Sequence, residues 1–307
     1  MKRIFLFPGQ GSQTVGMGRN FYEHSPEARE IFQLADEVLG FSLSRLCFEG
    51  PEEELRLTCH AQPALLTVSY IAYRLLGIKP DLAAGHSLGE YSALVAAGSL
   101  DLAEALRLVY NRGRYMMEAV PPGRGSMAAV LGLDYHRVEE AIGSLTAGTV
   151  QIANWNAEDQ VVIAGEKAAV EEALALLKPP RSVILQVSGP FHTSLMKPAA
   201  ERLKADLEKI NFRNPEFPVI SNVTAGEIRS GAEARELLYR QITSPVLWYS
   251  SMRSLQERGV GQAVELGPGK VLTGLLKRIS RSWTPAPALF NVEDMVSLEN
   301  CRRTISA

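Results

Sequence analysis

Hydrophobic and polar positions follow two rhythms along this chain, and proline–glycine breaks separate them. Short apolar runs at 3–7 (RIFLF, closed by Pro8-Gly9) and 81–86 (DLAAGH) predict buried strands. Residues 61–76 carry apolar side chains on nearly every face, as a buried helix does. Residues 88–97 predict a further helix, and 101–119 another with Asp101 as its N-cap. Pro121-Pro122-Gly123 then interrupts the pattern.

Beyond that break the elements shorten and change order. Strand-like 126–133 leads to a helix at 134–145, strands at 150–155 and 160–164, an Ala/Leu/Glu-rich helix at 167–178 and a strand at 182–187. The order βαββαβ is that of the ferredoxin-like motif, and it stops at Ser188-Gly189-Pro190. Residues 122–189 therefore predict a small domain inserted into a larger one built from 1–121 and 190–307. In the second part of the larger domain, helices are expected at 198–210, 231–241, 246–258 and 270–279, with strands at 217–221, 262–266 and 286–291. Such alternation implies an α/β fold with a mostly parallel sheet covered on both faces.

Composition narrows the function more by exclusion. With 307 residues there is room for one large domain or two. At 46% hydrophobic and 21% charged residues, the chain is neither disordered nor collagen-like. A net charge of −2 gives no basic excess for nucleic acid or an anionic membrane. Cys47, Cys59 and Cys301 form neither a CxxC pair nor a zinc spacing, so no disulfide scaffold or structural metal is expected. Pro8 cuts the N-terminal apolar run short of a signal peptide, and no stretch approaches the ~18 apolar residues of a membrane span. The expectation is a soluble cytoplasmic protein.

The sharpest chemical signal is Gly85-His86-Ser87-Leu88-Gly89, a G-x-S-x-G between a predicted strand and a predicted helix. In that setting the glycines allow a sharp turn that lifts the Ser87 hydroxyl to a helix N-terminus, where the Leu88 N–H can meet an oxyanion. The plainer alternative is an ordinary Gly/Ser turn. A nucleophilic serine needs a base. Of His24, His60, His86, His136 and His192, the last lies in Gly189-Pro190-Phe191-His192-Thr193, just past an apolar strand, where parallel sheets place their sites. A satisfied buried histidine is the alternative there, and His60 stays open as a second candidate. No carboxylate between 87 and 192 stands out as a triad acid, which points to a base oriented by something else, such as a main-chain carbonyl. Gly9-Gln10-Gly11 and Gly267-Pro268-Gly269-Lys270 both lack phosphate-loop spacing, so acyl transfer without a cofactor is more natural than nucleotide chemistry.

Five motifs then occur in order: Phe7-Pro8-Gly9-Gln10-Gly11-Ser12-Gln13, Gly85-His86-Ser87-Leu88-Gly89-Glu90-Tyr91, Arg112-Gly113, Gly189-Pro190-Phe191-His192 and Gly267-Pro268-Gly269-Lys270-Val271-Leu272. Together, over nearly the whole chain, they resemble the malonyl-CoA:acyl carrier protein transacylases. The resemblance implies a hydrolase-like α/β core with an inserted ferredoxin-like subdomain. It implies ping-pong transfer of a malonyl group from malonyl-CoA to the phosphopantetheine thiol of acyl carrier protein, in fatty acid or polyketide synthesis. Ser87 would carry the malonyl group and His192 would act as base. The main-chain N–H groups of Gln10 and Leu88 would form the oxyanion hole, the Gln241 carbonyl would orient His192, and Arg112 would pair with the substrate carboxylate.

Guanidinium suits that last task because its planar fork binds a carboxylate bidentately. Without the resemblance, the reading of Arg112 and Arg114 as solvated positions on an exposed helix face would prevail. Asn111, where Gln is expected, and Thr193, where Ser is common, depart from the family pattern. No metal, bound cofactor or nucleic-acid partner is expected, and a monomer is. Lys270, Lys277, Arg278 and Arg281 are candidates for a basic patch at the site mouth that receives the acidic carrier protein. A serine esterase or thioesterase is disfavoured by the position of His192 and by Arg112; a non-catalytic scaffold is disfavoured by Ser87, His192 and the oxyanion elements. Transfer of methylmalonyl or longer groups is disfavoured by Phe191 beside His192.

Overall fold

In β1 (Lys2–Phe7) the four residues Ile4 to Phe7 are all fully buried. A strand with both faces covered belongs in the middle of a parallel sheet. The computed structural model describes residues 1–305 except 147 and 188; Ser188 of the second breaker cluster is therefore outside the described residues. After β1 come α1 (Arg19–His24), α2 (Pro26–Leu39), α3 (Leu43–Glu49), α4 (Glu52–Leu55) and α5 (Thr58–Leu76), then β2 (Leu82–Gly85), α6 (Leu88–Ala96) and α7 (Leu102–Glu118). The middle segment holds β3 (Gly125–Leu131), α8 (Tyr135–Gly143), β4 (Val150–Ala157), β5 (Gln160–Glu166), α9 (Lys167–Leu177) and β6 (Arg181–Ile184). The last part holds α10 (Lys197–Leu207), β7 (Val219–Ile220), β8 (Glu227–Ile228), α11 (Gly231–Gln241), α12 (Trp248–Glu257), β9 (Val260–Leu266), α13 (Val271–Ile279), β10 (Ala288–Val292) and α14 (Met295–Ile305).

The larger sheet has the order β10-β9-β1-β2-β7-β8 and is parallel except for the final β7–β8 pair. Strand alternation builds its two cores. Phe5 and Phe7 point into a large cluster with side chains of α2, α5, α6 and α7, while Ile4 and Leu6 meet Trp248, Met252, Leu272 and Leu276 on the other face. The smaller sheet, β4-β5-β3-β6, is antiparallel throughout and has its own core of Val130, Val138, Ile152, Ile163 and Val170. Main-chain bonds stitch β4 to the segment before α12: Val246 N donates to the Ala153 carbonyl and Trp155 N to the Val246 carbonyl, both at 2.9 Å.

The predicted elements from 3–7 to 286–291 are all present in order, and Asp101 caps α7 by accepting from Ala103 N at 2.9 Å and Glu104 N at 3.2 Å. The sequence reading omitted α1–α4, β8 and α14. α1, α3 and α4 are too short to sustain an apolar period, whereas α2 carries one in Ala28, Ile31, Phe32 and Ala35 between a Ser25 cap and Gly40, a signal the reading passed over. The strand expected at 182–187 ends at Ile184, and the one expected at 217–221 shrinks to two residues. Among the described residues no helix is long and apolar enough to cross a membrane.

The tightest packing surrounds the turn between β2 and α6. A Cβ on Gly85 would lie 1.9 Å from the Gly89 carbonyl, and one on Gly89 would lie 2.0 Å from the Phe7 carbonyl oxygen. Both obstacles are backbone, so neither can swing aside. Gly89→Ala should therefore destabilise the protein by at least about 1–3 kcal/mol, the usual cost of overpacking. The check is the urea midpoint; an unchanged midpoint would show that helix and strand do not press together there.

Candidate active site

Ser87 occupies the residue between β2 and α6 with φ 51° and ψ −103°. A non-glycine residue at positive φ is strained, and the surroundings must hold it there. Asn222 does so from the loop after β7: its Oδ1 accepts from Ser87 N at 2.7 Å and its Nδ2 donates to the Gly85 carbonyl at 2.7 Å. The Ser87 carbonyl accepts from Gln241 Nε2 at 3.1 Å. Leu88 opens α6, where main-chain N–H groups have no carbonyl four residues back. Gln10, in the loop that leaves β1, lines the same cavity, and its side chain donates to Thr58 Oγ1 at 3.2 Å.

His192 lies in the segment before α10, also at positive φ (60°), and is 5% exposed. Its Nε2 is 2.8 Å from Ser87 Oγ, and its Nδ1 is 2.9 Å from the Gln241 carbonyl oxygen. A carbonyl can only accept, so Nδ1 carries the proton in the neutral ring. Nε2 is then a bare acceptor aimed at the serine hydroxyl. Burial, reinforced by the Arg112 charge, pushes the imidazole pKa down to about 3, so the ring is neutral at ordinary pH.

Arg112 is 1% exposed, which overturns the exposed-face alternative for this residue; Arg114 does face solvent. Gly113 lets α7 approach α5 so closely that a Cβ there would sit 2.5 Å from Cys59 Cα. The guanidinium thereby reaches inward. Nη1 donates to Gln62 Oε1 at 2.8 Å, and Nη2 to Gln241 Oε1 at 3.0 Å and Ser87 Oγ at 3.1 Å. Its centre lies 5.2 Å from the Tyr91 ring centroid. No carboxylate forms an ion pair with it among the described residues.

These groups open onto a cavity of about 340 Å³ whose walls include Met116, Met127, Asn154, Phe191 and, with its charge, Arg56. The structure thus brings Ser87, His192, Arg112, Gln10 and Leu88 around one space, with Gln241 directly behind. His60 is not among them: it sits on α5 with Nδ1 3.0 Å from the Glu54 carbonyl. His86 lines the cavity but turns its Nε2 to Asn156 Oδ1 at 2.8 Å. Asn111 and Thr193, the two departures from the family pattern, bond away from the reacting atoms, to Asp206 and to the Pro190 carbonyl.

The candidate basic patch does not line this cavity. Lys270 is 3.8 Å from Glu293, and Arg278 is 2.5 Å from Asp159. Among the described residues no group of His, Cys, Asp or Glu gathers as metal ligands would. The three cysteines are buried thiols, with burial pushing Cys47 far up and Cys301 up to about 11.

Sequence reading gave no role to Asn222, Gln62 or Glu90. Glu90 is fully buried, its Oε2 accepting from Asn222 N at 2.7 Å and Gln241 Nε2 at 3.1 Å. Burial lifts its pKa to about 7. A signal existed, because Glu90 is the one charged residue in the otherwise apolar run 88–97. Asn222 and Gln62 gave none; only folding brings them to the serine and the arginine.

Residues 4–300 match the family model described as acyl transferase domain. The chain is 49% identical to the malonyl CoA-acyl carrier protein transacylase of Bacillus subtilis (strain 168), over 91% of each chain. It is 48% identical to that of Escherichia coli (strain K12), over 90% of this chain and 92% of that one. A crystal structure of an acyl carrier protein S-malonyltransferase from Vibrio cholerae superposes with a TM-score of 0.94 at 41% identity, covering 98% of this chain and 100% of that one. A malonyl-transacylase solved in complex with a type II polyketide synthase acyl-carrier protein superposes equally well, TM-score 0.94 at 43% identity over 99% of both chains. With a strained serine, a neutral histidine and a buried arginine on this fold, and with relatives of this closeness, the chain belongs to the acyl transferase family, among the malonyl-CoA:acyl carrier protein transacylases.

Proposed function

We propose that this acyltransferase moves a malonyl group from malonyl-CoA to the phosphopantetheine thiol of acyl carrier protein by way of a malonyl ester on Ser87. One observation carries the assignment of roles. Ser87 Oγ lies between His192 Nε2 at 2.8 Å and Arg112 Nη2 at 3.1 Å, so nucleophile, base and carboxylate-binding cation meet at one atom.

In the first half-reaction Ser87 Oγ attacks the thioester carbon while its proton passes to His192 Nε2. The carbonyl electron pair moves onto oxygen, where the main-chain N–H groups of Leu88 and Gln10 receive the charge. Collapse breaks the C–S bond, and the imidazolium returns the proton to the departing CoA thiolate. In the second half-reaction the carrier thiol gives its proton to Nε2 and attacks the ester, and Ser87 Oγ recovers that proton as it leaves. The Gln241 carbonyl holds the ring throughout. Among the described residues Arg112 has no ion-paired carboxylate, and the neutral oxygens of Gln62, Gln241 and Ser87 that hold its fork leave its charge for the carboxylate of the malonyl group. The identities of 49% and 48% to transacylases of known name support the same substrates, and a cytoplasmic, monomeric, cofactor-free enzyme supplying fatty acid or polyketide synthesis belongs to this proposal.

The finer architecture belongs to it too. A serine turn after β2 in the middle of a parallel sheet supports a hydrolase-like core over 1–121 and 190–307. The antiparallel order β4-β5-β3-β6, with α8 and α9 between strands, supports a ferredoxin-like subdomain over 122–189.

Ser87→Ala should gain no malonyl mass on mixing with malonyl-CoA, as read by intact mass spectrometry. An adduct still forming at another residue would refute the nucleophile. His192→Ala should slow acylation and transfer to carrier alike, each by about 10²–10⁴-fold; rapid-quench measurement of the two halves checks this, and loss of transfer alone would mean another base serves Ser87. Arg112→Ala should lower malonyl kcat/KM by about 10²–10³-fold, the scale of leaving a buried charge unpaired. Acetyl-CoA has no carboxylate for Arg112, so it should lose far less. Equal loss for both substrates would make Arg112 structural.

A further inference from the structure

Gln241 acts twice at this site. Its main-chain carbonyl orients His192, and its side-chain amide links Arg112 to the serine turn. A carboxamide can sit either way round, with oxygen and nitrogen exchanged, and only its surroundings choose. Toward Arg112 it must present oxygen, because a guanidinium only donates. The opposite end faces the Ser87 carbonyl at 3.1 Å, Glu90 Oε2 at 3.1 Å and, more distantly, Asn222 Oδ1 at 3.5 Å. All three are acceptors, and Glu90 is the one that can carry charge.

We propose that Glu90 is a positioning residue for substrate choice: by accepting from the Gln241 amide it keeps the amide oxygen on Arg112, and so holds the guanidinium in line with the acyl group on Ser87. The proposal rests on the reading of Arg112 as the malonyl-binding cation. Glu90 touches neither substrate nor reacting atoms and acts only through Gln241. Its burial fits a dedicated task, because a fully buried carboxyl within an apolar helix is costly unless its bonds are used. Its other bond, from Asn222 N, supports the turn that carries Ser87, so a purely structural part would affect all substrates together.

The experiment compares kcat/KM for malonyl-CoA and acetyl-CoA in wild type, Glu90→Met, Glu90→Gln, Arg112→Ala and the Glu90→Met/Arg112→Ala double variant. Methionine keeps the bulk and removes the acceptor. Glutamine keeps an oxygen for Gln241 and places its nitrogen where Oε1 has no partner among the described residues. The expected result is a malonyl-over-acetyl ratio about tenfold lower in Glu90→Met, the scale of one buried hydrogen bond lost. Glu90→Gln should restore the ratio, and the double variant should fall no further than Arg112→Ala. Equal loss for both substrates in Glu90→Met, or a further drop in the double variant, overturns the proposal while leaving Arg112 its role. A wild-type ratio in Arg112→Ala removes the reading of Arg112 and this proposal with it. Should Glu90→Met fail to fold, Glu90→Asp, which draws the acceptor back by one methylene, decides by the same ratio.

Discussion

A single hydrogen bond, from His192 Nδ1 to the Gln241 carbonyl, sets the chemistry of this site. It dictates which ring nitrogen is bare, and the bare nitrogen dictates where a proton can leave Ser87. In serine triads a carboxylate does this work and also stabilises the imidazolium that forms. A carbonyl has no full charge, so it fixes the tautomer while giving the cation less support. The depressed histidine pKa comes from burial first and the nearby guanidinium second; the Gln241 carbonyl works against them, because accepting from Nδ1–H favours the protonated ring. On the proposed mechanism, a ring held neutral takes the serine proton and gives it up readily, which suits a cycle that uses it in both directions.

The second constraint is electrostatic. Arg112 is buried without an ion-paired side chain and is held by neutral oxygens of Gln62, Gln241 and Ser87. Burying an unpaired cation is costly, and the cost is offset only when a carboxylate arrives. Glu90 lies close enough for its charge to act on Arg112, yet its own acid is lifted toward neutrality by burial. On the proposed reading of Arg112, protein and substrate share the compensation of one charge, and specificity for a free carboxylate follows from leaving that compensation incomplete.

How far the sequence carried this depended on how local each signal is. The serine turn was legible because its glycines and its strand and helix flanks are contiguous. The small antiparallel sheet was legible because six short elements change rhythm between two proline–glycine breaks. A base oriented by something other than an acid was legible because no carboxylate between 87 and 192 stands out. Burial of Arg112 was written at helical spacing, since it lies on the α7 stripe of Leu102, Ala105, Leu106, Val109, Gly113 and Met116, but a charge on that stripe reads as solvated until Gly113 is seen pressed against α5. Asn222, Gln62 and the side chain of Gln241 come together from distant segments, where spacing carries no information. The neighbouring acids Glu293 and Asp159, which pair with Lys270 and Arg278 of the basic run 270–281, come from distant segments and carried no signal in the sequence.

The acyl cavity is walled from two sheets. Ser87, His86 and Arg112 come from the larger unit, while Met127 and Asn154 come from β3 and β4 of the smaller one. The two are joined by the main-chain stitch at Val246 and by the His86–Asn156 bond, which begins one residue from the nucleophile. The wall that gauges the acyl chain is therefore mechanically coupled to the turn that attacks it. A sequence can widen or narrow the chamber by altering how the small sheet is seated, without substituting any group that makes or breaks a bond. Because the same joint also braces the serine turn, a substitution between the two sheets, remote from the cavity, would be felt in the shape of the chamber and in the set of the serine together.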